Sequence, residues 1–173
     1  MGRNVLAVSD ERGIMINSAG HIVYELPLEG TGQSVSEIFQ DRNGEIVTSF
    51  VRNDIFNLYR ENQLKGTFQI VGDLEDIPSS FTEEFVPIQM FYDGLGQMLL
   101  VTQEGHSKDE RYLATYSIDI ERLRSDKIGS AIVSNEFKMV SRSKSNLILV
   151  NQKDGELKAL NPKDLSTKAS WKG

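Results

Sequence analysis

Four stretches of this sequence repeat one outline, and that repetition limits the folds open to the chain more than any other feature. Each stretch is an apolar, strand-like run, a polar turn, a second run, another turn and a third run. The runs are Asn4–Val8, Gly13–Ile16 and His21–Leu26; then Glu45–Phe50, Asp54–Tyr59 and Leu64–Ile70. The third set is Gln97–Val101 and Arg111–Ile118 with a blurred return around Gly129–Ile132, and the fourth is Asn146–Val150, Glu156–Leu160 and Thr167–Trp171. First runs begin near Val5, Ile46, Met98 and Leu147, spaced 41, 52 and 49 residues apart. A chain repeating at roughly 40–50 residues builds one supersecondary unit several times over.

A fourth run precedes three of the four sets: Ser34–Gln40, Phe85–Tyr92 and Glu136–Ser141. None precedes the first set, so the sequence predicts fifteen strands. The turns support this reading: Asn43-Gly44 and Asp154-Gly155 are short hairpin signals, because those residues tolerate positive φ. Val5–Val8, Met98–Val101 and Leu147–Val150 are continuous apolar runs, as expected of strands buried on both faces, and are the predicted core. Ser117–Lys127 carries the best helical pattern and is expected to form a short helical turn. Asp73–Glu84 is the longest polar connection, and Ile77-Pro78-Ser79-Ser80 breaks any regular element within it. The expected fold is all-β: a β-propeller-like array of about four antiparallel blades, the first lacking its inner strand. The units are approximately 1–31, 32–74, 83–133 and 134–173 of a single propeller-like domain or partial propeller. The competing arrangement is an antiparallel β-sandwich of the same strands.

The fourth unit, Asp154-Gly155-Glu156-Leu157-Lys158-Ala159-Leu160-Asn161-Pro162 closing on Ala169-Ser170-Trp171-Lys172, resembles a quinoprotein-type propeller repeat. Repeats of that family run from a glycine-led strand ending Ala-Leu-Asp/Asn to a strand closing on Trp. Val35–Phe50 is similar to inner hairpins of several propeller families. The resemblance implies propeller architecture and carries no cofactor with it.

Composition removes whole classes of function. The 173 residues contain no cysteine, which excludes disulfides and thiolate chemistry. No apolar run approaches the length of a membrane span, and no signal-peptide pattern opens the sequence, so a soluble, cytoplasmic protein away from membranes is expected. Residues 1–87 hold 14 acids against 6 bases, and residues 88–173 hold 11 against 13, a balance that disfavours nucleic acid.

Few residues point to chemistry. His21 and His106 are isolated and turn-like, without metal-ligand spacing, and no nucleophile elbow or phosphate-binding glycine motif occurs. Asp41-Arg42-Asn43-Gly44-Glu45 has a superficial calcium-loop look but lacks the other ligands, so a hairpin turn is expected there. No catalytic residue, metal or cofactor is predicted. The acidic segment Asp73, Glu75, Asp76, Glu83 and Glu84 is the one suggestive feature, a candidate dock for a basic partner. Lys138, Arg142 and Lys144 on or after an inner strand could draw an anion, and Phe91 and Tyr92 are the aromatics available to a ligand-binding face. A blade short of its inner strand leaves an open edge. The expected function is therefore a non-enzymatic interaction module or scaffold, part of a larger or oligomeric propeller, with another protein chain or a second copy completing it. The alternatives are a propeller lyase or hydrolase, which needs converging His, Asp and Arg, and a small-ligand or polysaccharide binder.

Overall fold

The computed structural model describes residues 5–8, 12–27, 34–41, 43–61, 63–70, 76–93, 96–142 and 146–172. Fifteen strands fill it: β1 Val5–Val8, β2 Arg12–Ile16, β3 Ile22–Pro27, β4 Ser34–Gln40, β5 Ile46–Arg52, β6 Ile55–Arg60, β7 Gln63–Gln69, β8 Thr82–Tyr92, β9 Gln97–His106, β10 Glu110–Asp119, β11 Arg124–Ser134, β12 Phe137–Arg142, β13 Leu147–Asn151, β14 Leu157–Leu160 and β15 Thr167–Trp171. They form one three-stranded sheet, β1-β2-β3, and three four-stranded sheets, β4-β5-β6-β7, β8-β9-β10-β11 and β12-β13-β14-β15. Every pairing is antiparallel between consecutive strands. The protein is thus a propeller-like array of meander blades whose first blade has three strands, and we number the blades 1 to 4.

The side-chain period of two explains how the blades stack. In β9, Met98 and Leu100 join a core with Val47, Val51, Phe56 and Leu58 of blade 2. The alternating residues Leu99 and Val101 join a second core with Leu147, Leu149, Leu160 and Leu165 of blade 4. Blade 3 is therefore buried on both faces, and three sheets stack in series where a sandwich would have two. Phe39 of β4 stacks on Tyr92 of β8, ring centroids 3.6 Å apart, so the first strands of blades 2 and 3 are neighbours. Leu147–Val150 departs from its expectation: Leu147 and Leu149 are buried but Ile148 and Val150 only half-buried, because blade 4 has a neighbour on one face alone among the described residues. The side chains of Val5–Val8 lie outside the described residues.

Blade 3 holds the other departures. Ser117–Lys127 is no helical turn; it is the ends of β10 and β11 joined by a turn at Ile120–Leu123. The blurred return is the eleven-residue strand β11, and β8 begins at Thr82, three residues before the predicted run. Bulges conceal both patterns. In each blade the last strand carries one extra residue: Val23, Lys65, Ile128 and Lys168. A single insertion inverts a period-two pattern from that point on.

Directly after two of these bulges the next blade comes into contact. A Cβ built on Gly66 of β7 would meet the Leu123 side chain at 2.1 Å, and one on Gly129 of β11 would meet the Asp164 backbone at 2.5 Å. Leu123 and Asp164 lie on the turns before the last strands of blades 3 and 4. Each hairpin thus seats in a notch that lacks a side chain. Arg60 of β6 reinforces the first junction, with Nη2 2.6 Å from Glu121 Oε1 on the blade 3 hairpin. Gly129→Ala should lower stability by about 1–3 kcal/mol, since backbone must move to admit the methyl group. Gly66→Ala should cost less, because the Leu123 side chain can rotate away. Denaturant midpoints compare the two, and equal losses would count against the notch geometry.

Candidate functional site

Blade 3 presents different chemistry on its two faces. Toward blade 2, Glu104 of β9 is only 1% exposed, a carboxylate inside an otherwise apolar core. Thr102 Oγ1 lies 3.4 Å from its Oε1, and two further groups compensate it. The Tyr116 hydroxyl donates to its Oε1, and Lys127 Nζ on β11 lies 3.1 Å from its Oε2. That ammonium also sits 4.9 Å from the Tyr112 ring centroid and 3.9 Å from Asp76 Oδ2. Burial pulls the Lys127 pKa down, but Glu104 and Tyr112 outweigh it and hold the pKa above the ordinary lysine value. With both carboxylate oxygens of Glu104 partnered, this cluster is structural.

Toward blade 4, β8, β9, β10 and β12 enclose a cavity of about 300 Å³. Val86, Ile88, Leu113 and Met139 give it an apolar floor, and Glu84, Gln103 and Arg111 supply its polar groups. Glu84 Oε1 accepts a hydrogen bond from Gln103 Nε2 and lies 3.0 Å from His106 Nδ1. Arg111 reaches across the junction, its Nη2 donating to the Phe137 carbonyl of β12. No carboxylate pairs with it among the described residues, its buried Nε has no hydrogen-bond partner, and burial lowers its pKa.

These positions revise the sequence reading. Asp73 and Glu75 lie outside the described residues. Asp76 points to Lys127, Glu83 is exposed, and Glu84 lines the cavity on the opposite face from the Lys127 cluster. His106 is the last residue of β9, not a turn residue, while His21 stands exposed beside a turn. Phe91 and Tyr92 are buried at 6% and 7% exposure, so they offer no aromatic face to a saccharide. Asp41 serves its own hairpin: its Oδ1 accepts the amides of Asn43 at 2.8 Å and Glu45 at 2.9 Å, and Arg60 pairs with its Oδ2. Lys138 is exposed on β12, and Lys144 falls outside the described residues. Sequence reasoning missed Glu104, Gln103, Arg111 and Lys127; no local signal marks them, since strand register alone brings them together.

The last feature is the outer face of blade 4. Pairing places Ile148 beside Ala159 and Ala169, and Val150 beside Leu157 and Trp171, on the side away from blade 3. Leu157 and Trp171 are 37% and 52% exposed. This apolar surface has no cover among the described residues.

No family model matches the chain, and no curated protein does. Among solved structures, the chain is similar to one described as BBS1N in complex with ARL6DN, soaked with lead. The two share 10% identity at a TM-score of 0.49, over 98% of this chain and 64% of the other.

Lys127→Met should destabilise the fold by about 3–5 kcal/mol, because it strands the buried Glu104 charge. Adding Glu104→Gln should restore much of that loss. A raised lysine pKa also fixes the sign of the pH effect. The contribution is complete below the unfolded lysine pKa near ~10.4 and is lost as pH climbs through the higher folded value. Thermal melts from pH 8 to 11 should therefore show an alkaline limb in wild type that the double variant lacks.

Proposed function

We propose that this chain is a non-enzymatic interaction module: a rigid stack of propeller-type, quinoprotein-like blades that binds another protein sheet through the outer face of blade 4. The observation that carries this reading is the row of Ile148, Val150, Leu157 and Trp171, uncovered among the described residues. A blade has two faces to bury, and burial contributes about 25 cal/mol per Å² of apolar surface. A surface built like an internal blade junction yet left open is therefore a binding surface. The acidic segment, with Asp73, Glu75, Asp76, Glu83 and Glu84, is a second contact that steers a basic partner. Asp76 contributes less to it than the others, being turned toward Lys127.

Affinity capture with the intact chain tests both parts. Val150→Glu with Leu157→Glu should abolish capture of a binding partner at an unchanged melting temperature. Lysine at Asp73 and Glu75 should weaken capture at low salt and matter little at high salt. A partner held equally by wild type and both variants would overturn the reading.

The cavity beside Arg111 favours a second reading, in which the module also holds a small aliphatic carboxylate. The guanidinium lacks a carboxylate partner among the described residues, and the apolar floor suits a short alkyl chain. Adding butyrate or hexanoate should raise the melting temperature of wild type but not of Arg111→Met. No shift in wild type would exclude this ligand class.

A further inference from the structure

The cavity between blades 3 and 4 is lined by two opposite charges that do not meet. Strand order places β9 between β8 and β10, so Glu84 on β8 and Arg111 on β10 stand two strand spacings apart, roughly 10 Å between backbones. Gln103 of β9 lies between them and is neutral, and all three line the same cavity. No ion pair joins Glu84 to Arg111 among the described residues.

Bulges create this arrangement. In β9, Gly105 pairs with Tyr112 and Gln103 with Leu113, so Glu104 is an inserted residue. Opposite it, β8 carries Glu84 and Phe85 between the pairs Glu83–Gly105 and Val86–Gln103. Phe85 packs against the core shared with blade 2, and Glu84 lines the cavity on the other face. Bulges re-aim side chains in this way beside functional sites.

Each charge keeps hydrogen-bonding capacity. Gln103 Nε2 donates to Glu84 Oε1 and His106 Nδ1 lies 3.0 Å from the same oxygen, while Oε2 has no partner among the described residues. Arg111 gives Nη2 to the Phe137 carbonyl, and its Nη1 makes no hydrogen bond among the described residues. A simple carboxylate would satisfy Arg111 and leave Glu84 as an unpaired acid beside it; a simple amine would do the reverse. Desolvating either charge without a partner weakens binding. A ligand with a carboxylate, an ammonium and a short apolar chain answers all three features of the cavity. Its volume of about 300 Å³ lies at the small end of ligand pockets, which suits one small molecule.

We infer that this cavity binds a single apolar α-amino acid of leucine's size, its carboxylate on Arg111, its ammonium on Glu84 and its side chain over Val86, Ile88, Leu113 and Met139. Gln103 and His106 are positioning residues that hold Glu84 through Oε1. The inference rests on the carboxylate-binding reading of the same cavity and adds the second charge.

Isothermal titration calorimetry on the intact chain tests it with L-leucine, isocaproate (the same skeleton without the amino group) and isoamylamine (without the carboxylate). Leucine should bind wild type at least about tenfold more tightly than either analogue, since each lacks one charge-assisted contact. Glu84→Gln should erase the advantage over isocaproate while isocaproate itself still binds. Arg111→Met should erase the advantage over isoamylamine. Circular dichroism melts confirm that each variant is folded, and the comparison of ligands on wild type needs no variant at all. If isocaproate binds wild type as tightly as leucine, the amino-acid assignment falls and the carboxylate reading stands. If isoamylamine matches leucine, or none of the three binds, both fall. A leucine advantage over isocaproate that survives in Glu84→Gln would also overturn the inference.

Discussion

The stack depends on burying both faces of its third blade at once. A single strand such as β9 supplies both, with Met98 and Leu100 turned one way and Leu99 and Val101 the other. The meander order of each blade follows from short hairpins, but stacking requires sheets to approach closely along their whole length. Where a neighbour's hairpin would collide with a last strand, the side chain is absent, at Gly66 and at Gly129. Packing at interior density tolerates neither a void nor an extra methyl group at such a point. Two glycines therefore set the spacing of three blades.

The polar groups inside the stack obey the same geometry. Glu104 can be buried because Tyr116 lies across the ladder on β10 and Lys127 one strand further, all on one face. Arg111 occupies the opposite face one register step from Tyr112 and spends one of its donors on the Phe137 carbonyl. In the first group both oxygens of the buried carboxylate have a partner. The second sits beside an open cavity with unused hydrogen-bonding capacity, and that difference separates a structural polar cluster from a ligand site.

Much of this architecture is legible in the sequence, because hairpin chemistry and strand composition are local properties. Asn43-Gly44 and Asp154-Gly155 mark turns whose glycines have φ of +85° and +76°. The misreadings are local too. Ile128 is inserted into β11, so alternation on either side of it is out of phase, and the segment looked blurred or helical. The site residues lay beyond reach for another reason. Glu104 and Lys127 are 23 positions apart in sequence, and only the register of three strands makes them neighbours. Phe91 and Tyr92 looked available to a ligand because composition is silent on which faces acquire a neighbour.

The bulges have a wider consequence. An intact last strand would offer a continuous row of amides and carbonyls to any passing strand, the template from which cross-β fibrils grow. Here every last strand breaks that row with an inserted residue, and in blades 2 and 4 the insertion is a lysine. Strand addition at that edge is thereby opposed. The same small irregularity that hid the fold from its sequence also guards the edges of its sheets.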